Sequence, residues 1–338
     1  MENKRILFIA PLFFDYYSEI INELTIMGYE VDYICDAPNN SNITKAIGRI
    51  NKRLIYFSTR KYFKNNVWKK IRNNKYNKVF VICGMTFSFS PNMLEKIKNN
   101  NPEADFIIYQ WDSENNLPFV NSIHKYFDRL YTFDRVDYIK NNKYSFLPLF
   151  YTRTYEEIGN NNHDYKYGCS YVGTAHPQKY KDINTMSNSL QKIIDNQFIY
   201  HYMPSKLKYF YHKLLSPEYK KARFRDFKTN KLSSKDMMHI FENSKIILDA
   251  PQSGQTGLTI RTIECLGAKR KLITTNKEIE KYDFYNKQNI LIYEGEIDKN
   301  SSFFTNEYVD IDNHIYQKYS LRNWLEVLLK NKKERYLK

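Results

Sequence analysis

Apolar runs of strand length alternate with helix-length segments from one end of the chain to the other, and this order constrains the fold more than any single residue does. A strand, a helix and a second strand in succession pack as a right-handed crossover onto a parallel sheet, so repetition of the unit predicts an α/β protein with helices on both sheet faces. The first half reads as strands at Arg5 to Ala10, Glu30 to Cys35, Val79 to Cys83, Asp105 to Gln110, Arg129 to Thr132 and Ser145 to Leu147. The second half reads as strands at Ser170 to Gly173, Phe198 to Met203, Ile246 to Asp249, Lys271 to Thr274 and Asn289 to Tyr293. Helices fall between them. Tyr17, Ile20, Ile21, Leu24 and Met27 form a helical stripe over Tyr16 to Met27 that stops at Gly28, and Ser90-Pro91 starts another helix. Further helices are predicted at Ile183 to Asn196, Ser234 to Asn243 and Leu258 to Gly267, with Ser233-Ser234 and Asp236 forming a good helix start.

A polar, Asn-rich stretch, YTRTYEEIGNNNHDYKYG, reads as a linker between the halves. The chain of 338 residues is long enough for two domains, placed at 1–152 and 153–315, with 316–338 as a closing helix whose apolar side is Tyr319, Trp324, Leu325, Leu328 and Leu329. Ligands of open parallel sheets sit beyond the carboxyl ends of the strands, so a cleft is expected at the linker.

Basic residues outnumber acidic ones, 52 to 37, giving a formal charge of +15 that favours anionic partners. The clusters KYFKNNVWKK, KYKKARFRDFKTNK and KNKKERYLK are short and carry no zinc-finger, RNA-binding or helix-turn-helix pattern. An anionic membrane surface or a phosphorylated substrate fits them, and scattered solvated lysine is the plain alternative. The four cysteines, Cys35, Cys83, Cys169 and Cys265, lack metal or redox spacing and read as buried thiols of a reducing compartment. The opening MENKRILFIAPLFF imitates a signal peptide, but its apolar run is short and reads as the first strand.

The densest chemistry lies in KIILDAPQSGQTGLTIRTIECLGAKRKLITTN, from Lys245 to Asn276. A strand ends at Asp249-Ala250-Pro251, Gly254 and Gly257 bracket a loop, and a helix starts near Thr259, where unpaired amides and a partial positive charge suit a phosphate. Arg261 and Glu264 are three apart and share a face. From spacing alone this is either a phosphate loop or an ordinary strand-to-helix turn with a surface ion pair.

The segment resembles the donor-binding region of bacterial GT-B glycosyltransferases. The resemblance implies two Rossmann-like, doubly wound domains facing a cleft, and an enzyme that moves a sugar from a nucleotide diphosphate to a surface-glycan or lipid-linked acceptor of capsule, lipopolysaccharide or exopolysaccharide. By that likeness Glu264 matches the ribose-binding glutamate, and Thr256, Gly257, Leu258, Thr259 and Arg261 match the diphosphate side. Gly173 and Thr174 resemble the glycine turn that opens the donor domain, with Lys179 in reach of a phosphate. A retaining branch of these enzymes has two glutamates eight positions apart, and Thr256 stands where the first would be, so the stereochemistry stays open.

The first domain is expected to supply the base. Asp15, after the first strand, is where several inverting GT-B enzymes place a catalytic side chain, and Asp112, in YQWDSEN beside Trp111 and Glu114, is the second candidate. Either can equally be a helix cap or a loop acid. The likeness calls for no metal and no cofactor beyond the nucleotide sugar and implies a cytoplasmic enzyme, and the basic clusters with their interleaved aromatics suit peripheral contact with the inner face of the cell membrane. The alternative class is a nucleic-acid or anionic-polymer binding protein, argued from charge and aromatics, although no nucleic-acid motif is present. A dehydrogenase or epimerase acting on nucleotide sugars would want a glycine fingerprint after the first strand, and Ala10 to Phe14 has none.

Overall fold

The computed structural model describes residues 4–13, 15–38, 56–117, 119–161, 164–251 and 256–338. It divides into two compact units, one of Met1–Pro148 with Leu325–Lys332, the other of Leu149–Trp324 with Lys333–Lys338.

The first unit holds six parallel strands in the order β2-β1-β3-β4-β5-β6: β1 Arg5–Ala10, β2 Glu30–Cys35, β3 Lys78–Cys83, β4 Asp105–Gln110, β5 Arg129–Thr132 and β6 Tyr144–Phe146. The central strands are apolar along their length because helices cover both faces, as a parallel sheet requires. The helix Tyr16–Ile26 buries Ile20 and Leu24, and Gly28 follows it at φ +85°, a left-handed turn open to glycine. KYFKNNVWKK lies within a helical run of Tyr56–Tyr62, a π-helical Phe63–Trp68 and Lys69–Ile71. Phe63, Val67 and Ile71 enter the core while Lys61, Lys64, Lys69 and Lys70 face solvent, so this basic cluster is the outer face of an amphipathic helix.

The second unit holds five parallel strands in the order β11-β10-β9-β7-β8: β7 Tyr167–Thr174, β8 Gln197–Tyr202, β9 Ser244–Asp249, β10 Lys271–Thr274 and β11 Ile290–Ile292. Counted from its own first strand, each sheet begins 2-1-3-4-5, so strand direction of winding reverses between β1 and β3 in one and between β7 and β9 in the other. Such reversal points leave an opening beyond the strand ends where adjacent connections part to opposite faces.

Three expectations need correction. The linker contains a helix, Arg153–Asn160, because Tyr155 and Ile158, three apart, both bury one side of it. The helix expected from Ile183 begins at Pro177, whose fixed φ suits a first turn, and ends at Leu190. The closing segment is two helices, Asn313–Lys318 and Leu321–Lys330; between them the backbone of Tyr319 and Leu321 pairs with Tyr151, which takes the chain out of a continuous helix. Leu337 then pairs with Tyr282 in an isolated antiparallel bridge.

Tyr151 also explains Gly267. A Cβ there would stand 2.5 Å from the Tyr151 ring, which is buried and donates its hydroxyl hydrogen to the Tyr316 carbonyl at 3.1 Å. Gly267→Ala is expected to destabilise the fold by about 1–3 kcal/mol through overpacking, read from urea denaturation midpoints. An unchanged midpoint would show that the ring has room to move.

Candidate functional site

The reversal point of the second sheet is where the sequence concentrates its polar groups. β9 ends in Asp249, whose carboxylate is buried at the strand terminus. A buried carboxylate requires partners, and three arrive from two connections. Lys179, in the first turn after β7, pairs with it at 3.1 Å; the hydroxyl of Thr259 donates to it; and the Thr262 hydroxyl lies at 3.4 Å. Asp249 thereby ties the β7 connection to the β9 connection across the reversal point. In the sequence it marks only the end of an apolar run.

Thr259 has a second task. It caps the helix Ile260–Gly267, accepting from the Thr262 amide at 3.2 Å with extended backbone, as a good N-cap does. Thr256, Gly257 and Leu258 lead into this cap, with Gly257 and Leu258 buried. Gly254 lies outside the described residues, so the first half of the expected glycine loop is not placed.

Arg261 and Glu264 do pair, at 2.8 Å, but not on the surface. Glu264 is 1% exposed, and the Arg261 guanidinium lies 5.0 Å over the Phe241 ring. Tyr155, from the helix in the former linker, sits beside both: the negative charge of Glu264 adds to burial in pushing its phenol up, and Arg261 opposes. Glu264 is therefore buried beside Arg261 and Tyr155, and both of these pack on the Phe241 ring. The Glu264 carboxylate is engaged by the Arg261 guanidinium.

Gly173 and Thr174 close β7, and Gly173 faces the Tyr171 ring, which fills the space a side chain would need. Tyr171 and its neighbour His201 are buried with no partner for the phenol or for either imidazole nitrogen among the described residues. His201 is packed between Tyr171 and Tyr180, at ring distances of 5.2 and 4.9 Å.

The first unit presents a different surface at its strand ends. Asp15 stands at the N-cap position of the first helix, exposed, and its side chain makes no capping bond. Asp112, after β4, is half buried and accepts from the Met85 amide at 3.2 Å. Trp111 packs with Tyr16 at 5.9 Å and with the exposed Phe13 at 6.4 Å, so both acids adjoin the chain segments of one aromatic cluster. Glu114 turns away from that cluster, accepting instead from Tyr144 at 2.7 Å. His124, which contacts the same phenol, is buried and held below the usual imidazole range by desolvation.

No protein-family model matches the chain, and no curated protein resembles it in sequence. Solved structures do resemble it in shape. An α-glucosyltransferase in complex with UDP and a mismatched DNA aligns with 98% of this chain and 96% of its own at a TM-score of 0.56 and 12% identity. The UDP-GlcNAc 2-epimerase of Neisseria meningitidis, bound to UDP-GlcNAc, aligns over 97% and 99% at 0.54 and 9% identity. The catalytic domain of starch synthase IV from Arabidopsis thaliana, bound to ADP and acarbose, aligns over 99% and 96% at 0.52 and 8% identity. The fold is GT-B, with two Rossmann-like parallel sheets. An epimerase shares it with transferases, so the fold alone does not fix the reaction.

His201 supplies a prediction independent of any ligand. Burial lowers its pKa from 6.5 to about 4, Asp226 opposing weakly. Unfolded chain therefore binds a proton between pH 6.5 and 4 that the folded chain refuses, and stability is complete above pH 6.5 and falls toward pH 4. At roughly 1.4 kcal/mol per unit the loss is about 3 kcal/mol. His201→Phe, which suits an aromatic pocket, is expected to flatten this dependence in denaturation curves taken at pH 7 and pH 4; parallel losses in both proteins would refute the buried neutral imidazole.

Proposed function

We propose that the chain is a glycosyltransferase that takes its sugar from a nucleoside diphosphate donor held by the second unit. The observation that carries this reading is the convergence of a capped helix start, Lys179, Arg261 and a buried Glu264 at one strand-order reversal. Basic side chains and the helix start offer positive charge to a departing diphosphate, which is the largest electrostatic demand of the reaction. Glu264 would accept from the ribose. The likeness to nucleotide-bound structures, two with UDP or UDP-sugar and one with ADP, supports a nucleotide-sugar substrate.

In the step itself the anomeric carbon loses its bond to the diphosphate oxygen and gains one to the acceptor oxygen, whose proton passes to a base. Asp15 is the better candidate, since its carboxylate makes no capping bond, while Asp112 already accepts from the Met85 amide. Phe13, Tyr16 and Trp111 would offer aromatic faces to an acceptor sugar. The reading calls on no metal or cofactor, and it sets the enzyme in the bacterial cytoplasm, at the inner membrane face, acting on a surface glycan or its lipid-linked precursor.

Titration calorimetry with UDP, GDP and dTDP tests the donor site. One of the three is expected to bind in the micromolar to low millimolar range, with Glu264→Gln weakening it by about tenfold, the effect of one charge-assisted hydrogen bond. Absence of binding by all three would end the reading. Asp15→Asn is expected to lower kcat by roughly a hundredfold or more with little change in donor affinity, and Asp112→Asn by less. Epimerisation is the second reading, favoured by the neisserial likeness. Conversion of the nucleotide sugar to its epimer without acceptor and without release of nucleoside diphosphate would establish it in place of transfer.

A further inference from the structure

The helix Lys206–Leu215 is amphipathic in the wrong direction for a protein interior. Tyr209 packs inward, against Met203, Tyr219, Ala222 and Phe227, and His212 lies against the Tyr219 ring at 5.4 Å. Outward it shows Leu207, Phe210, Tyr211, Leu214 and Leu215, exposed at 82, 62, 61, 84 and 60%. With about 100° between successive residues these five fill a continuous arc of about 140°, opposite Tyr209. Lys206 and Lys208 fall at its two edges. The remaining exposed large apolar residues of the described chain are scattered singly or in pairs.

The surroundings are basic. From Lys206 to Lys231 the chain carries nine basic residues and two acidic ones, which is close to half of its net charge of +15 in one short segment. Lys220, Lys221, Arg223 and Arg225 are exposed in the turns that follow the helix. Lys213 is not among the free cations, because it donates to the carbonyls of Tyr219, Lys220 and Ala222 and fastens the helix to those turns. The apolar arc therefore sits on a rigid, positively charged platform.

We infer that this helix is an interfacial anchor that lays Leu207, Phe210, Tyr211, Leu214 and Leu215 into the acyl boundary of an anionic bilayer, with Lys206, Lys208 and the Lys220–Arg225 cations at the lipid phosphates. Charge decides the occupant. A protein groove would match the arc equally well in apolarity, but the basic margin on both sides complements a plane of negative headgroups, and helices of this composition bind in that plane. The inference names the contact behind the peripheral location proposed above, and it stands apart from the transfer reaction, because the helix contributes none of the donor-site residues.

Sedimentation of the full chain with sucrose-loaded vesicles provides the test. The wild-type protein is expected to bind vesicles of equimolar phosphatidylcholine and phosphatidylglycerol, to bind phosphatidylcholine alone far more weakly, and to release as salt rises. Leu207→Glu with Leu214→Glu is expected to lower the partition on the order of a hundredfold, about two buried leucines' worth. Lys220→Glu with Lys221→Glu is expected to erase the preference for phosphatidylglycerol while leaving the thermal midpoint intact. Calorimetry with nucleoside diphosphate on the leucine variant separates the two readings, since donor binding is expected to be unchanged. No binding by the wild type, equal binding by the leucine variant, or a dimer in light scattering that the leucine substitutions dissolve would each overturn the anchor; in the last case a second copy of the chain is the occupant.

Discussion

A single buried carboxylate organises the polar end of the second sheet. Asp249 ends a strand whose neighbours are apolar, and at that depth its charge is tolerable only with a cation and donors in contact. Lys179 comes from the β7 connection, Thr259 and Thr262 from the β9 connection, so satisfying one charge brings two separate loops to a common place. The helix start that follows inherits its position from this arrangement, because the same Thr259 that reaches Asp249 caps it. Arg261 and Glu264 then lie one turn along.

The strand ends of the two units share an architecture and differ in chemistry. Both sheets reverse their winding beside the first strand, which by itself creates two openings suited to ligands. One is lined by paired charges and a capped helix, the other by aromatic rings and two aspartates. The proposed transfer reaction assigns the diphosphate to the first and the acceptor sugar to the second. This division of labour follows from side chains alone, since the backbone topology is the same in both.

Much of the fold is legible because buried parallel strands are continuous apolar runs: β1, β2, β4, β5 and β10 match their expected limits to the residue. Helices were harder wherever tertiary contacts outweigh composition. Arg153–Asn160, RTYEEIGN, is mostly polar in sequence, and only Tyr155 and Ile158 mark it as packed; the Tyr151 backbone interrupts the closing helix from a distance of more than 160 residues, which no local pattern can signal. At the site, spacing placed Arg261 and Glu264 on one face, yet their burial depends on Tyr155 and Phe241 from other elements. Asp249 is legible as an acid at a strand end, but its depth is not, because that is set by β9 lying between β7 and β10.

The partition of the chain has a consequence for its biosynthesis. Leu325–Lys332 belongs to the first unit, where Arg129 donates to the Leu328 carbonyl at 2.5 Å, although that unit's sheet is complete by Phe146. Some 180 residues intervene, which a ribosome adds in on the order of ten to forty seconds. Throughout that interval the nascent amino-terminal sheet must wait with the flank around Arg129 and Tyr131 uncovered. Vectorial folding, in which each unit matures before the next emerges, is thus denied to the first unit.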